Sequence, residues 1–221
     1  MQKIVNTVAA DNQVKASALV SYFGNENAKT RILIVGNSIT RSGPKVEIGW
    51  EYDHGMAASA PEKDYVHRLF AMLQESGKDV YMRVRHASDW ERGFSKRDCL
   101  PDYQEDKDFQ ADIVIFRLGE NVCQADYPLF EQALKKFIEY ICPAQSKVIF
   151  TTTFWKNGFM ERILQAYAQE RGDICVDCSF AVDEKNMALG LFEHKGVAAH
   201  PSDAGMEAIA NAIFHALSEM I

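Results

Sequence analysis

The sequence contains no run of 18 apolar residues, no internal repeat, no low-complexity tract and no Gly/Ser-rich linker. The first absence leaves nothing long enough to cross a bilayer as a helix, which takes about 20 predominantly apolar residues. The others exclude solenoids, arrays and tethered modules. Positive charge is not in excess, since 24 Lys and Arg stand against 31 Asp and Glu, a formal net charge of -7. Without a basic stripe to displace phosphate counterions, neither a nucleic-acid nor a membrane partner is expected. The five cysteines, Cys99, Cys123, Cys142, Cys175 and Cys178, are odd in number and lack the spacing of a disulfide framework, which suits a reducing compartment. Met1-Gln2-Lys3-Ile4-Val5-Asn6 lacks the apolar core of a secretory leader, so a soluble, cytoplasmic protein is expected.

Cys175-Val-Asp-Cys178 is a C-x-x-C, but no second Cys or Cys/His pair accompanies it at zinc-ligand spacing. It falls in Ile174-Cys175-Val176-Asp177-Cys178, which reads as a buried strand, where residues three apart point to opposite faces. These cysteines are read as structural, and no metal or cofactor is expected. The 221 residues can bury a full core in a single domain, residues 1–221. Five apolar runs, Arg31 to Val35, Val80 to Val84, Asp112 to Leu118, Lys147 to Thr152 and Ile174 to Cys178, alternate with amphipathic helical segments. Continuous hydrophobicity in strands separated by helices predicts a five-stranded parallel sheet covered on both faces, a three-layer α/β/α sandwich. The stretch from Asp11 to Phe23 is expected to form a further helix, in an extension over residues 1–29 packed on that domain. The long connection from Arg41 to Ser59 is expected to shape a pocket.

Directly after the first apolar run stands Gly36-Asn37-Ser38-Ile39-Thr40. A serine at the carboxyl end of a buried strand lies where open α/β sheets bind ligands. Gly119-Glu120-Asn121 follows the third run, and His200-Pro201 opens the last helical pattern. Together the three segments offer a nucleophile, an amide donor for an oxyanion and a general base, the parts needed for acyl transfer. Of the six histidines, His54, His67, His86, His194, His200 and His215, His200 is preferred because Pro201 and a helix start fix it in a loop.

On these residues the chain resembles the SGNH hydrolases, or GDSL-type esterases. The block Gly-Asp-Ser-x-Ser/Thr is matched at Gly36 to Thr40 with Asn37 in place of Asp, Gly-x-Asn-Asp at Gly119 to Asn121 with Val122 in place of Asp, and Asp-x-x-His-Pro at His200-Pro201 only. The resemblance implies the flavodoxin-like strand order 2-1-3-4-5, and a serine esterase in which Ser38, Asn121 and a glycine N–H line the oxyanion hole. Gly93 is the only glycine in the segment that should supply the last of these, although Ser88 or Asp89 could serve equally. Val197 stands where the triad acid would be. Glu193 is taken as the group that orients His200, with Glu91 or a backbone carbonyl as alternatives.

The expected substrate is a short-chain acyl ester, acetyl above all, of a small polar or carbohydrate-like alcohol. Longer acyl chains, or a non-catalytic flavodoxin-like module cradling an anion, are the other readings. Trp50, Trp90 and Trp155 each follow a strand and are expected to line the substrate mouth.

Overall fold

A computed structural model describes residues 19–221. Its strands are β1 (Val20–Gly24), β2 (Thr30–Gly36), β3 (Val80–His86), β4 (Ile113–Arg117), β5 (Lys147–Thr151) and β6 (Ile174–Val176). They form one sheet in the order β1-β3-β2-β4-β5-β6. β1 runs antiparallel to β3, and all other pairings are parallel.

The sheet therefore departs from the expected five-stranded parallel one in count and order, through an antiparallel strand added at one edge. That strand lies in the stretch expected to be helical. Residues 20–24 are extended, and residues 11–18 lie outside the described residues. Short apolar runs do not separate strand from helix by periodicity, and here cross-strand aromatics decide. Tyr22 stacks on Tyr81 of β3 at 5.6 Å. Gly24, at φ +85°, ends the strand against β3, where a Cβ would sit 2.1 Å from the Val80 carbonyl oxygen. Only glycine fits a left-handed turn at that approach.

The helices are α1 (Tyr65–Glu75), α2 (Ser88–Gly93), α3 (Gln104–Asp108), α4 (Tyr127–Ile141), α5 (Gly158–Arg171), α6 (Lys195–Ala198) and α7 (Asp203–Ser218). Alternation along β2 separates two cores. Leu33 and Val35 pack with Trp90, Phe137 and Leu164 under α4 and α5. Ile32 and Ile34 pack with Leu69, Ile209 and Ile213 under α1 and α7. A third, smaller cluster holds Trp50, Met56, Phe192 and Val197, and joins the 41–59 loop to the segment before α7. These loops and the ends of β2, β3 and β4 converge at the carboxyl edge of the sheet.

Candidate active site

Gly36 ends β2, and the chain folds back on it at once, with Thr40 N–H and Arg41 N–H both donating to the Asn37 carbonyl at 3.0 Å. A Cβ on Gly36 would lie 1.8 Å from Thr40 Oγ1, so glycine is required for the turn. Ile39 and Thr40 are buried by it, and Thr40 Oγ1 meets the Tyr65 hydroxyl at 2.7 Å. Ser38 alone in the run from Ile32 to Thr40 is not buried. Its hydroxyl faces a cavity of about 210 Å³.

Ser38 Oγ lies 2.8 Å from His200 Nε2. The other ring nitrogen, Nδ1, is 2.7 Å from the Gly196 carbonyl oxygen. A carbonyl only accepts, so Nδ1 carries the proton and the Nε2 lone pair is turned to Ser38. Helix ends leave carbonyls without intrahelical partners. Here His200 N–H bonds to Val197 O at 2.9 Å, which frees the Gly196 carbonyl for the ring. Burial holds the His200 pKa down to about 4, and the Lys45 and Arg117 charges push the same way.

The partner of Nδ1 is thus the Gly196 carbonyl and not Glu193, which is exposed on the approach to α6. Val197, at the position of the missing acid, is wholly buried in the third apolar cluster. Gly93 does not line the cavity either. It ends α2 against Cys99, and its carbonyl accepts from Lys96 and Arg97; the same helix instead brings Arg92 to the cavity wall.

Asn121 also lines the cavity. Its Nδ2 donates to Glu91 Oε2 at 2.7 Å, and its Oδ1 accepts from Arg92 Nη2 at 2.6 Å. A pure donor on one side and a carboxylate on the other fix the orientation of the amide.

Glu91 is the member that sequence reasoning weighed only as a partner for His200. It is wholly buried, and its Oε1 accepts the backbone N–H of Gly119 at 2.6 Å and of Asn121 at 3.2 Å. Burial pushes its pKa up to about 7, with the nearby Glu120 charge adding to the rise. Glu120 in turn accepts from Arg117 Nη2 at 2.7 Å, from Phe154 N–H at 3.0 Å and from Asn37 Nδ2 at 2.6 Å. Arg117, fully buried at the end of β4, also donates to Asn37 Oδ1 at 3.3 Å. A charged residue closing an apolar strand run was the available signal for this network.

No group of three or more His, Cys, Asp or Glu among the described residues is placed to hold a metal ion. None of their helices is long and apolar enough to cross a membrane.

No family model matches the sequence, and no curated protein matches it significantly. Solved structures do match over most of the chain. An α/β hydrolase from the metagenome of Lake Arreo, Spain, aligns with TM-score 0.56 at 21% identity, over 86% of this chain and 96% of that one. Axe2, an acetylxylan esterase from Geobacillus stearothermophilus, aligns with TM-score 0.53 at 19% identity, over 86% and 94%. A Bacteroides ovatus protein described as a GDSL-like lipase aligns with TM-score 0.55 at 13% identity, over 86% and 98%. The chain has the SGNH-hydrolase fold.

Within this SGNH-hydrolase fold the three tryptophans part company. Trp155 lines the cavity and meets the His200 ring edge-on at 5.4 Å. Trp50 is wholly buried beneath the 41–59 loop, its Nε1 donating to the Ser42 carbonyl at 3.1 Å. Trp90 is buried in the first core, 4.6 Å from the Phe137 ring. Neither reaches the mouth, because large flat side chains that follow strands are drawn under the loops they anchor. The 41–59 loop itself does reach the cavity, through Lys45, Ile48 and Met56.

Proposed function

We propose that the protein is a carboxylic ester hydrolase working through a Ser38 acyl-enzyme, with His200 as general base and acid. The observation that carries this reading is the 2.8 Å contact between Ser38 Oγ and a His200 ring whose Nδ1 is already committed to a carbonyl. Ser38 Oγ attacks the ester carbonyl as its proton passes to Nε2. The resulting oxyanion takes the Ser38 backbone N–H and the second hydrogen of Asn121 Nδ2, the first being held by Glu91. His200 returns the proton to the departing alcohol, and water attacks the acyl-enzyme by the same route. A base pKa near 4 leaves the imidazole neutral at neutral pH. A carbonyl in place of the triad carboxylate orients the ring while giving up the charge that would stabilise an imidazolium.

A cavity of about 210 Å³ is below the roughly 300–1,000 Å³ of sites for drug-sized ligands. That favours short acyl groups, acetyl first, over long chains. Trp155 beside His200 suits a small polar or sugar-like alcohol, and one protein of this fold is named an acetyl-xylooligosaccharide esterase. Anion cradling alone requires neither His200 nor Asn121.

A fluorophosphonate probe should place one label, on Ser38. Ser38→Ala should abolish both label and turnover of 4-nitrophenyl acetate, and His200→Gln should reduce turnover by a factor of about 10⁴ or more. Labelling elsewhere, or turnover surviving Ser38→Ala, would remove the proposal.

A further inference from the structure

The cavity at Ser38 carries a charge imbalance that ester hydrolysis by itself does not require. Two cationic side chains line it, Lys45 from the loop after β2 and Arg92 from α2. Lys45 is half-buried, and its ammonium makes no hydrogen bond or ion pair with the described residues. Among the described residues Arg92 has one partner for its guanidinium, the neutral Asn121 Oδ1 at 2.6 Å. The carboxylate that shares the wall, Glu120, is already neutralised by Arg117 at 2.7 Å and saturated from below by Phe154 N–H and Asn37. Glu91 lies beneath the floor, with its oxygens spent on Gly119 and Asn121. His194, the remaining titratable group on the wall apart from His200, has Nδ1 occupied by the Val197 N–H at 3.4 Å.

Two like charges in a partly desolvated cavity repel one another at a cost the free protein must bear. Lys45 registers that cost. Desolvation lowers its pKa, the Arg92 charge lowers it further, and exposed Glu47 offsets this only in part. An anion bound between the two would relieve the repulsion and supply the missing acceptor.

We infer that Lys45 and Arg92 form an anion subsite beside Ser38, and that the substrate is an ester carrying a carboxylate close to the scissile bond. This inference rests on the ester-hydrolase reading for its reaction, but not for its binding. Arg92 also holds the Asn121 amide, so its removal would disturb the oxyanion donor, and Lys45 is the cleaner position to change. Lys45→Met keeps length and apolar stem, and the contacts of Lys45 to Trp50 are through backbone atoms.

Two matched ester pairs locate the charge. In 4-acetoxybenzoate against its methyl ester the charge is on the alcohol; in mono-4-nitrophenyl succinate against 4-nitrophenyl butyrate it is on the acyl group. For one pair, the charged-to-neutral ratio of kcat/KM should fall by about tenfold in Lys45→Met and be retained in Lys45→Arg. Comparing ratios between proteins cancels the intrinsic reactivity of each ester. In the wild type, added salt should slow the charged ester of that pair and spare the neutral one, a readout independent of whether any variant folds. Ratios unchanged by both Lys45→Met and salt overturn the subsite. The ester-hydrolase reading fails separately. If no ester is turned over, 4-hydroxybenzoate and succinate should still quench Trp155 fluorescence in the wild type and not in Lys45→Met. Absence of that difference as well overturns the subsite on its own terms.

Discussion

Two clusters of buried arginine and carboxylate lie on this sheet, and they serve different ends. On β3, Arg83 Nε donates to Asp106 Oδ1 at 2.7 Å, Arg85 approaches Asp106 at 3.6 Å, and Tyr22 of β1 joins through its hydroxyl. Every one of these contacts joins side chains, and together they fasten α3 and the edge strand to the sheet. On β4, Arg117 pairs with Glu120, and Asn37 bridges Glu120 to Glu91. There the carboxylates also accept the backbone N–H groups of Gly119, Asn121 and Phe154. A buried ion pair is weak evidence of stability in either place, since desolvation offsets much of the attraction. What distinguishes the second cluster is that it sets the positions of the strand-end loops that hold Ser38 and Asn121.

The comparison is sharpest at Arg117. Arg117→Met leaves Glu120 buried without its cation, and a loss of about 3–5 kcal/mol in urea unfolding is expected, with slower ester turnover in what remains folded. A loss under about 1 kcal/mol would mean that the pair carries nothing. Val197→Asp puts a carboxylate among Trp50, Phe192 and Met56. We expect a cost on the order of 3 kcal/mol and no gain in rate; faster turnover would show that the Gly196 carbonyl is a poorer partner than an acid at position 197.

Asp106→Asn weakens the first cluster only. A stability loss of about 2 kcal/mol is expected, with kcat unchanged once the protein is folded. A fall in kcat would dissolve the distinction between the two clusters.

Glu91→Gln tests the opposite case. The amide oxygen can keep the two backbone N–H groups on Oε1, but an NH2 in place of Oε2 cannot accept from Asn121 Nδ2, and kcat should fall about tenfold at nearly constant KM, as for an interaction felt in the transition state. Its folded pKa, about 7, lies above the ordinary 4.5, so ionisation in the folded state costs stability as pH rises through that window. Glu91→Gln removes the cost, and its melting temperature relative to wild type should rise from about pH 4 to about pH 8, values bracketing that window. The acid limb of kcat/KM should lie near 7 in wild type and vanish in the variant. A limb that persists would assign it to another group.

The smallest effect is on stability in acid. The His200 pKa falls from 6.5 to about 4 on folding. Between those values the unfolded chain binds the extra proton, so stability is lost as pH drops through them. His200→Asn should flatten that decline in a series of thermal melts.

Much of this site was legible as sequence. Ser38, Asn121 and His200 each stand close after a strand or before a helix, where residue type and local pattern suffice. Of the parallel strands, β6, read as buried, lies at the sheet edge with Ile174 exposed and Cys175 and Val176 half-buried, whereas β2 to β5 were legible too, since strands buried on both faces must be continuously apolar. β1 was not, because its five residues satisfy either period and only Tyr81 and the Val80 carbonyl decide between them. Trp50 and Trp90 misled because a position after a strand fixes the edge of the sheet but not the depth of the side chain.

The sequence by itself determined which strands would be parallel and which three segments would carry the serine, the amide and the histidine, because those features depend on the order of residues within a few turns of chain. Only the tertiary structure decided what orients them. The Gly196 carbonyl is free because His200 N–H closes a tighter turn onto Val197. Glu91 reaches the backbone that follows β4, and Glu120 the backbone that follows β5, because these parallel strands end side by side. Such partners are chosen by proximity in space, and a buried polar group takes whichever donor or acceptor the packing brings within reach.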